Sequence, residues 1–305
     1  MPGLSTSTSA AERLLERALA SGSRSIVVIG TAKNVGKTVT FNALRAAALR
    51  RGITGGVSSI GRDGEPSDAL DGAAKPRVRL EANTIVALPR ELLPRSPGLC
   101  ILDIGEASAL GTMVFARVLV PLECEIGGAP TARGVRATID RLCELGGTPA
   151  FIDGAIDRIA PLAGGADAIV LATGAASGAT IAAVADVVGE AVRRLGIPGR
   201  SATRERTRVV EIARALGTLE AEALLAQPHD ATVVVSDPTR ITVRGRVFER
   251  LLNAFDVRCE RPLRVVGITT CSVGRTTLLD PRELAHAVAA RTQLPTFDLV
   301  ANLGA

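Results

Sequence analysis

The chain has 305 residues, 47% of them apolar and 2% aromatic, and carries a formal net charge of +5. That length holds one large α/β domain or two smaller ones. With no Trp, no Tyr and six Phe, the core is built from Ala, Val, Leu and Ile, and the aromatic platforms on which single-stranded nucleic acids stack are scarce. The arginines are spread along the chain, which reads as a solvated mixed-charge surface with a mild basic excess and argues against a nucleic-acid groove. Five cysteines without a C-x-x-C pair and two histidines make no zinc pattern, so the thiols are read as buried and reduced. No secretory leader and no apolar run of membrane-spanning length is visible, and the expected location is cytoplasmic with no membrane partner.

Residues 1–10 read as a disordered tail. Leucines at 14, 15 and 19 then predict a short amphipathic helix over 11–20. Four β-branched residues at 26–29 predict a buried strand, followed by a glycine-bearing loop, a helix over 39–50 and a strand over 53–60. Short strand-like runs at 84–88, 99–104 and 112–121, separated by Pro and Gly, mark 75–130 as a small β-rich insertion. The α/β rhythm resumes with a helix over 131–145, strands at 150–153 and 168–171, and a helix over 181–195. A turn at 196–199 and an Arg/Thr-rich stretch mark a boundary near residue 200. That boundary separates a first portion, 11–200, from 201–305, a C-terminal α/β portion of the same or a second domain. That last third predicts helices over 209–226, 247–255 and 282–292, alternating with strands at 232–235 and 263–268 and ending in a short strand. Such alternation predicts an α/β fold with a mostly parallel sheet and helices on both faces.

The stretch Ile26-Val27-Val28-Ile29-Gly30-Thr31-Ala32-Lys33-Asn34-Val35-Gly36-Lys37-Thr38 follows the order strand, loop, helix N-terminus. That is the arrangement of a phosphate-binding (Walker A) loop, and it predicts a P-loop NTPase fold. Helix N-termini offer unpaired N–H groups and a positive dipole end, so Gly30, Thr31, Lys33, Asn34, Val35, Gly36, Lys37 and Thr38 are the expected nucleotide contacts. Lys37 would reach the β- and γ-phosphates and Thr38 would offer its hydroxyl to Mg²⁺. Standard spacing puts the first Gly at position 31, which is Thr here; the Gly stands one place earlier. Only three lysines occur among 36 basic residues, and Lys33 and Lys37 both fall in this loop. A compact, flexible ammonium suits a tight anion loop better than a planar guanidinium.

Turnover also needs carboxylates to hold Mg²⁺. Asp153 ends the apolar run Phe151-Ile152-Asp153-Gly154 at the expected carboxyl edge of the sheet, with Asp157 and Arg158 close behind. Asp63 in Arg62-Asp63-Gly64-Glu65 follows the next strand; Arg62 would offset γ-phosphate charge, Asp68 is a weaker substitute for Asp63, and Asp103, within the apolar run 99–104, is a second strand-end candidate ranked below Asp153. Lys37, Asp63 and Asp153 are thus the expected catalytic set, and Thr38, Asp63 and Asp153 the expected metal set. Residues 265–277 echo the first loop, but Arg275 replaces its Lys and no helix signal follows until about Pro281. Thr173-Gly174-Ala175-Ala176-Ser177-Gly178 is a small-residue loop after a strand, read as a tight connection or as pocket lining.

Gly30-Thr31-Ala32-Lys33-Asn34-Val35-Gly36-Lys37-Thr38 resembles the phosphate loop of dethiobiotin synthetase and cobyric acid synthase-type enzymes, which share the early Gly-Thr and the extra residue. That resemblance implies Mg²⁺ held by Thr38, Asp63 and Asp153. Three blocks together (Gly30 to Thr40, Ser58 to Glu65 and Phe151 to Arg158) look closer to the small subunit of the lysine 5,6-aminomutase reactivase. They cover under a fifth of the chain. This likeness implies an ATP-binding and ATP-hydrolysing accessory protein that helps a cobalamin-dependent aminomutase exchange a damaged cofactor, beside a larger ATPase subunit. Binding and hydrolysis would order and release the 62–65 loop.

The alternative is an ATP-dependent biosynthetic enzyme of the dethiobiotin synthetase type. It would activate a small carboxylic acid held near Lys33 and the β-rich segment. A third reading is a binding module with a purely structural nucleotide. ATP against GTP, the partner and a homo-oligomeric state stay open in the sequence.

Overall fold

In a computed structural model the described residues are 8–61, 78–108, 111–154, 162, 167–200 and 208–305. Among them the chain forms seven α-helices and fifteen strands. It opens with α1 (Ala10–Ala20), β1 (Ser25–Gly30), α2 (Lys37–Arg50) and β2 (Gly56–Ser59). Ser9 and Ala10, assigned to the tail by the sequence, belong to α1: Ser9 is its N-cap, in a reciprocal capping box with Glu12. Residues 1–7 lie outside the described residues.

The β-rich stretch holds β3 (Val78–Leu80), β4 (Ile85–Pro89), β5 (Leu99–Ser108), β6 (Gly111–Val118) and β7 (Leu122–Cys124). Then come α3 (Ala132–Glu144), β8 (Ala150–Asp153), β9 (Ala168–Gly174) and α4 (Ile181–Leu195). The last third runs β10 (Arg208–Ile212), α5 (Thr218–Leu225), β11 (Ala231–Val235), α6 (Gly245–Ala254), β12 (Asp256–Cys259), β13 (Arg264–Cys271), α7 (Pro281–Thr292), β14 (Thr296–Asp298) and β15 (Leu303–Gly304).

Ten strands make one sheet in the order β15-β14-β13-β9-β1-β8-β2-β4-β6-β5. Pairing is parallel from β14 across to β4 and antiparallel only at the two margins. The β-rich stretch therefore continues the sheet through β4, β6 and β5, while β3 and β7 pair as a separate two-stranded ribbon. Strands β10, β11 and β12 form a second, parallel sheet with its own core around Phe248, Leu251 and Val233. The chain then returns to the large sheet through β13.

Each central strand feeds two cores. Ile26 and Val28 face α1 and α2, with Phe41, Leu44 and Leu14; Val27 and Ile29 face α3, α4 and α7, with Ile139, Val188 and Leu284. Successive side chains of a strand point to opposite faces, so a continuous apolar run is what a strand covered on both sides requires. Burying each Val or Ile is worth about 1.5–3 kcal/mol.

Residues 209–212, expected to be helical, belong to β10. Val209-Val210-Glu211-Ile212 is β-branched and alternates half-buried with exposed positions, which suits pairing with β11 better than a helix face. The helix predicted over 209–226 is thereby reduced to α5. No helix among the described residues is long and apolar enough to cross a membrane.

Asp167, just before β9, is fully buried. It accepts from Arg136 Nη1 of α3 at 2.8 Å and from the Ser25 hydroxyl at the start of β1. It ties three elements below the sheet, so Asp167→Ala, which leaves a largely buried guanidinium without its acceptor, is expected to cost about 2–3 kcal/mol. Urea unfolding would read this as a lower midpoint at unchanged slope.

Candidate functional site

Strand β1 lies between β8 and β9, and the chain leaves it toward β2 on one side and later reaches β9 and β13 on the other. Ligands of open α/β sheets bind where connections diverge in this way, outside the carboxyl ends of the strands. That edge gathers the loop 31–36 after β1, Asp153 at the end of β8, and the segments after β9 and β13.

Within the loop, Asn34 (φ 60°) and Gly36 (φ 85°) adopt left-handed backbone on either side of buried Val35. Asn tolerates that region, and Gly meets no steric cost there. Left-handed residues in such turns belong to the backbone concavities that receive anions. Lys33 and Asn34 are exposed; Gly36, Lys37 and Thr38 are half-buried.

Lys37 is the first residue of α2, and its stem folds back over the last residue of β1. A Cβ built on Gly30 would stand 2.9 Å from Lys37 Cγ and Cδ and 2.9 Å from Val35 Cγ2. Only glycine leaves room for this return. The Val35 side chain therefore packs, and any ligand contact there falls to its backbone.

The N-terminus of α2 has Gly36 as its cap, no side-chain cap and no acid in its first turn. By contrast, Ser9, Thr131, Thr180 and Asp280 cap α1, α3, α4 and α7 with side-chain oxygens. A lysine at the positive end of a helix dipole is unfavourable unless an anion sits between them. Thr40, one turn in, is anchored by a 2.7 Å hydroxyl contact to Thr269 of β13.

Thr31 turns away from α2. Its N–H donates to Ala172 O at 2.9 Å, and its hydroxyl donates to Thr173 Oγ1 at 2.9 Å and lies 2.6 Å from Ser177 Oγ. The small-residue loop after β9 is a tight turn, with Ser177 N–H donating to Gly174 O at 2.7 Å, and it braces the start of the 31–36 loop. The 265–277 echo differs from the 31–36 loop: β13 runs into a tight turn, with Gly274 N–H donating to Thr277 O at 2.7 Å and a bridge between Val273 and Leu278, and α7 starts only at Pro281. It contributes a wall, since Cys271 Cβ lies 3.2 Å from where a Gly36 Cβ would be.

Asp153 pairs in register with Val28 of β1 and Ser59 of β2. Phe151, two residues back, packs with α2, so Asp153 belongs to the α2 face of the sheet. Its carbonyl accepts from Ile60 N–H at 2.9 Å and Ser59 Oγ at 3.0 Å, which fixes the strand end. Asp103 is placed elsewhere. It sits on β5, the far margin of the sheet, where Oδ2 accepts from Arg141 Nε at 2.6 Å and Oδ1 from Ile104 N–H at 2.8 Å. The Arg141 guanidinium, aided by that N–H, holds its carboxyl below the ordinary range. It takes no part in this edge. Arg62, Asp63, Asp68, Asp157 and Arg158 lie outside the described residues.

Among the described residues no three His, Cys, Asp or Glu side chains gather into a metal cluster. Of the thiols, Cys124 and Cys259 are buried and pushed up to about 11 by burial, Cys143 is buried, Cys271 is half-buried, and Cys100 is exposed, against the expectation that all are buried. The sequence also passed over Arg194 and Arg244, which line a cavity beside Gly30 and Thr31. Arg194 near the end of α4 reads as an ordinary complement to the helix dipole, so nothing local marked it.

The chain matches no protein-family model and no curated protein.

Gly36→Ala forces a Cβ into left-handed backbone and against Cys271, and is expected to lose about 1–2 kcal/mol. Gly22→Ala, at φ 73° with nothing within 4 Å, carries the conformational cost alone and should lose less. Chemical denaturation of both variants checks the order.

Proposed function

We propose that this chain binds a nucleoside triphosphate with Mg²⁺ at the 30–38 loop and hydrolyses it in the service of a partner protein. The observation that carries this reading is Lys37, set at the positive end of an uncapped helix with its stem folded over Gly30. Asp153 stands one strand away on the same face. A cation held against a helix dipole and free backbone donors make a site for polyphosphate.

In this reading the first-turn N–H groups of α2 donate to the β- and γ-phosphate oxygens, and Lys37 neutralises charge there. Thr38 and Asp153 would hold Mg²⁺, with Asp63 as the second carboxylate that the sequence points to. This all-oxygen set fits Mg²⁺, which keeps waters and takes one or two carboxylates plus substrate phosphates. The ion would screen the charge that grows on the transferring phosphoryl group. Thr31, tied to Thr173 and Ser177, holds the start of the loop in place.

The partner is read from the three blocks that resemble the aminomutase reactivase: a cobalamin-dependent aminomutase or a larger ATPase subunit. A second reading, phosphorylation of a small carboxylic acid as in dethiobiotin synthetase, is favoured by the exposed Lys33 within the loop. A cation there suits an acidic substrate.

Calorimetry with Mg²⁺–ATP and Mg²⁺–GTP tests the site. Lys37→Ala is expected to weaken binding by roughly tenfold to a hundredfold, the range of a lost charge-assisted hydrogen bond. Full affinity in that variant would refute the site. Asp153→Asn is expected to retain metal-free nucleotide binding while turnover falls by about a hundredfold or more. Phosphate release measured alone, with an aminomutase, and with small acids separates the readings: stimulation by the protein supports the accessory role, and stimulation by an acid alone supports the enzyme.

A further inference from the structure

A cavity of about 150 Å³ opens between the end of β1 and α4, with Arg244 from the segment before α6 at its rim. Its lining includes the apolar Ile29, Leu171, Ala191 and Leu195 and the charged Arg194, Arg244 and Glu190. Gly30 and Thr31 complete the wall, so the cavity touches the beginning of the loop without overlapping the α2 N-terminus.

Arg194 is 7% exposed. Its Nη1 reaches only the Ile241 carbonyl at a long 3.4 Å, and its buried Nε has no hydrogen-bond partner. Among the described residues no carboxylate forms an ion pair with it or with Arg244. Glu190 is nearby but accepts the Gly245 N–H at 3.0 Å. Burial, reinforced by Arg244, lowers the Arg194 guanidinium to about 10 against the lesser pull of Glu190. A buried guanidinium with unmet donors costs stability, and fold-building arginines are ordinarily paired. Here the unmet Nε belongs to a residue that lines a cavity of mixed character, which is the make-up of a small-ligand site.

We propose that this cavity is a binding site for a short aliphatic monocarboxylate, its carboxylate on Arg194 and Arg244 and its chain against Leu171 and Leu195. Two arginines against one glutamate leave one net positive charge, which favours a monoanion over phosphate dianion. The planar guanidinium fork matches a carboxylate. A 150 Å³ cavity admits a benzene-sized molecule, so the ligand has roughly six to eight heavy atoms. The site stands independently of the proposed nucleotide reading, because none of its donors is a phosphate-loop side chain.

The test is calorimetry on nucleotide-free wild-type protein with butyrate, valerate and hexanoate, against hexanamide and inorganic phosphate. Saturable binding of at least one carboxylate is expected, with hexanamide and phosphate at least tenfold weaker. Arg244→Met, at an exposed position, should weaken carboxylate binding at least tenfold without moving the melting temperature. Arg194→Met should abolish binding while the melting temperature holds or rises, since it removes a desolvated charge. No saturable uptake of any carboxylate, equal uptake of phosphate, or binding indifferent to both substitutions would each overturn the proposal. Because nucleotide is absent throughout, its outcome is separate from that of Lys37→Ala.

Discussion

Strand β1 has no water-facing side, and the architecture follows from that. All six of its residues are buried, with alternate side chains committed to two cores and both backbone edges to β8 and β9. A strand so enclosed meets solvent only at its ends. Its parallel neighbours end at the same edge, so sheet register brings together the loop at 31–36, Asp153 and the segment after β9, and the Thr31 hydroxyl ties the first of these to Thr173 and Ser177. Asp167 fastens the opposite end of this assembly by tying Ser25 to α3.

Charge is distributed at that edge against local stability. Most helices here carry an oxygen cap at the N-terminus, whereas α2 carries a lysine and no cap. Arg194 lies buried beside Arg244 with Glu190 near but, among the described residues, no carboxylate in an ion pair with either. Each arrangement is unfavourable in the isolated chain and becomes favourable with an anion in place. The two features stand on opposite faces of β1, and Gly30 and Thr31 are the backbone they share.

The central elements were legible because local and tertiary signals agree there. The Ile26–Ile29 run is β-branched and continuous, Gly36 precedes a helix-forming stretch, and Phe151-Ile152-Asp153 is an apolar run ended by an acid. Agreement fails at Val209-Val210-Glu211-Ile212, where leucines and alanines downstream suggest one long helix but pairing with β11 draws the first residues into a strand. It fails too for β3 and β7. Three residues each carry too little pattern to be seen, and the two strands exist only because they pair across forty residues of chain. Asp103 had the look of Asp153, an acid within an apolar strand, yet β5 lies at the sheet margin and Arg141 engages it.

The sequence by itself determined the strand–loop–helix order around Lys37, the alternation that yields a parallel sheet, and the acid at the end of β8. All three are written in short-range patterns of residue size, branching and charge. Only the tertiary structure decided which acid stands beside β1, that the β-rich stretch lengthens the main sheet, and that Arg194 faces Arg244 over a cavity next to Thr31. Strand order and helix docking bring together residues far apart in the chain, and no local pattern encodes which distant element will supply the neighbour.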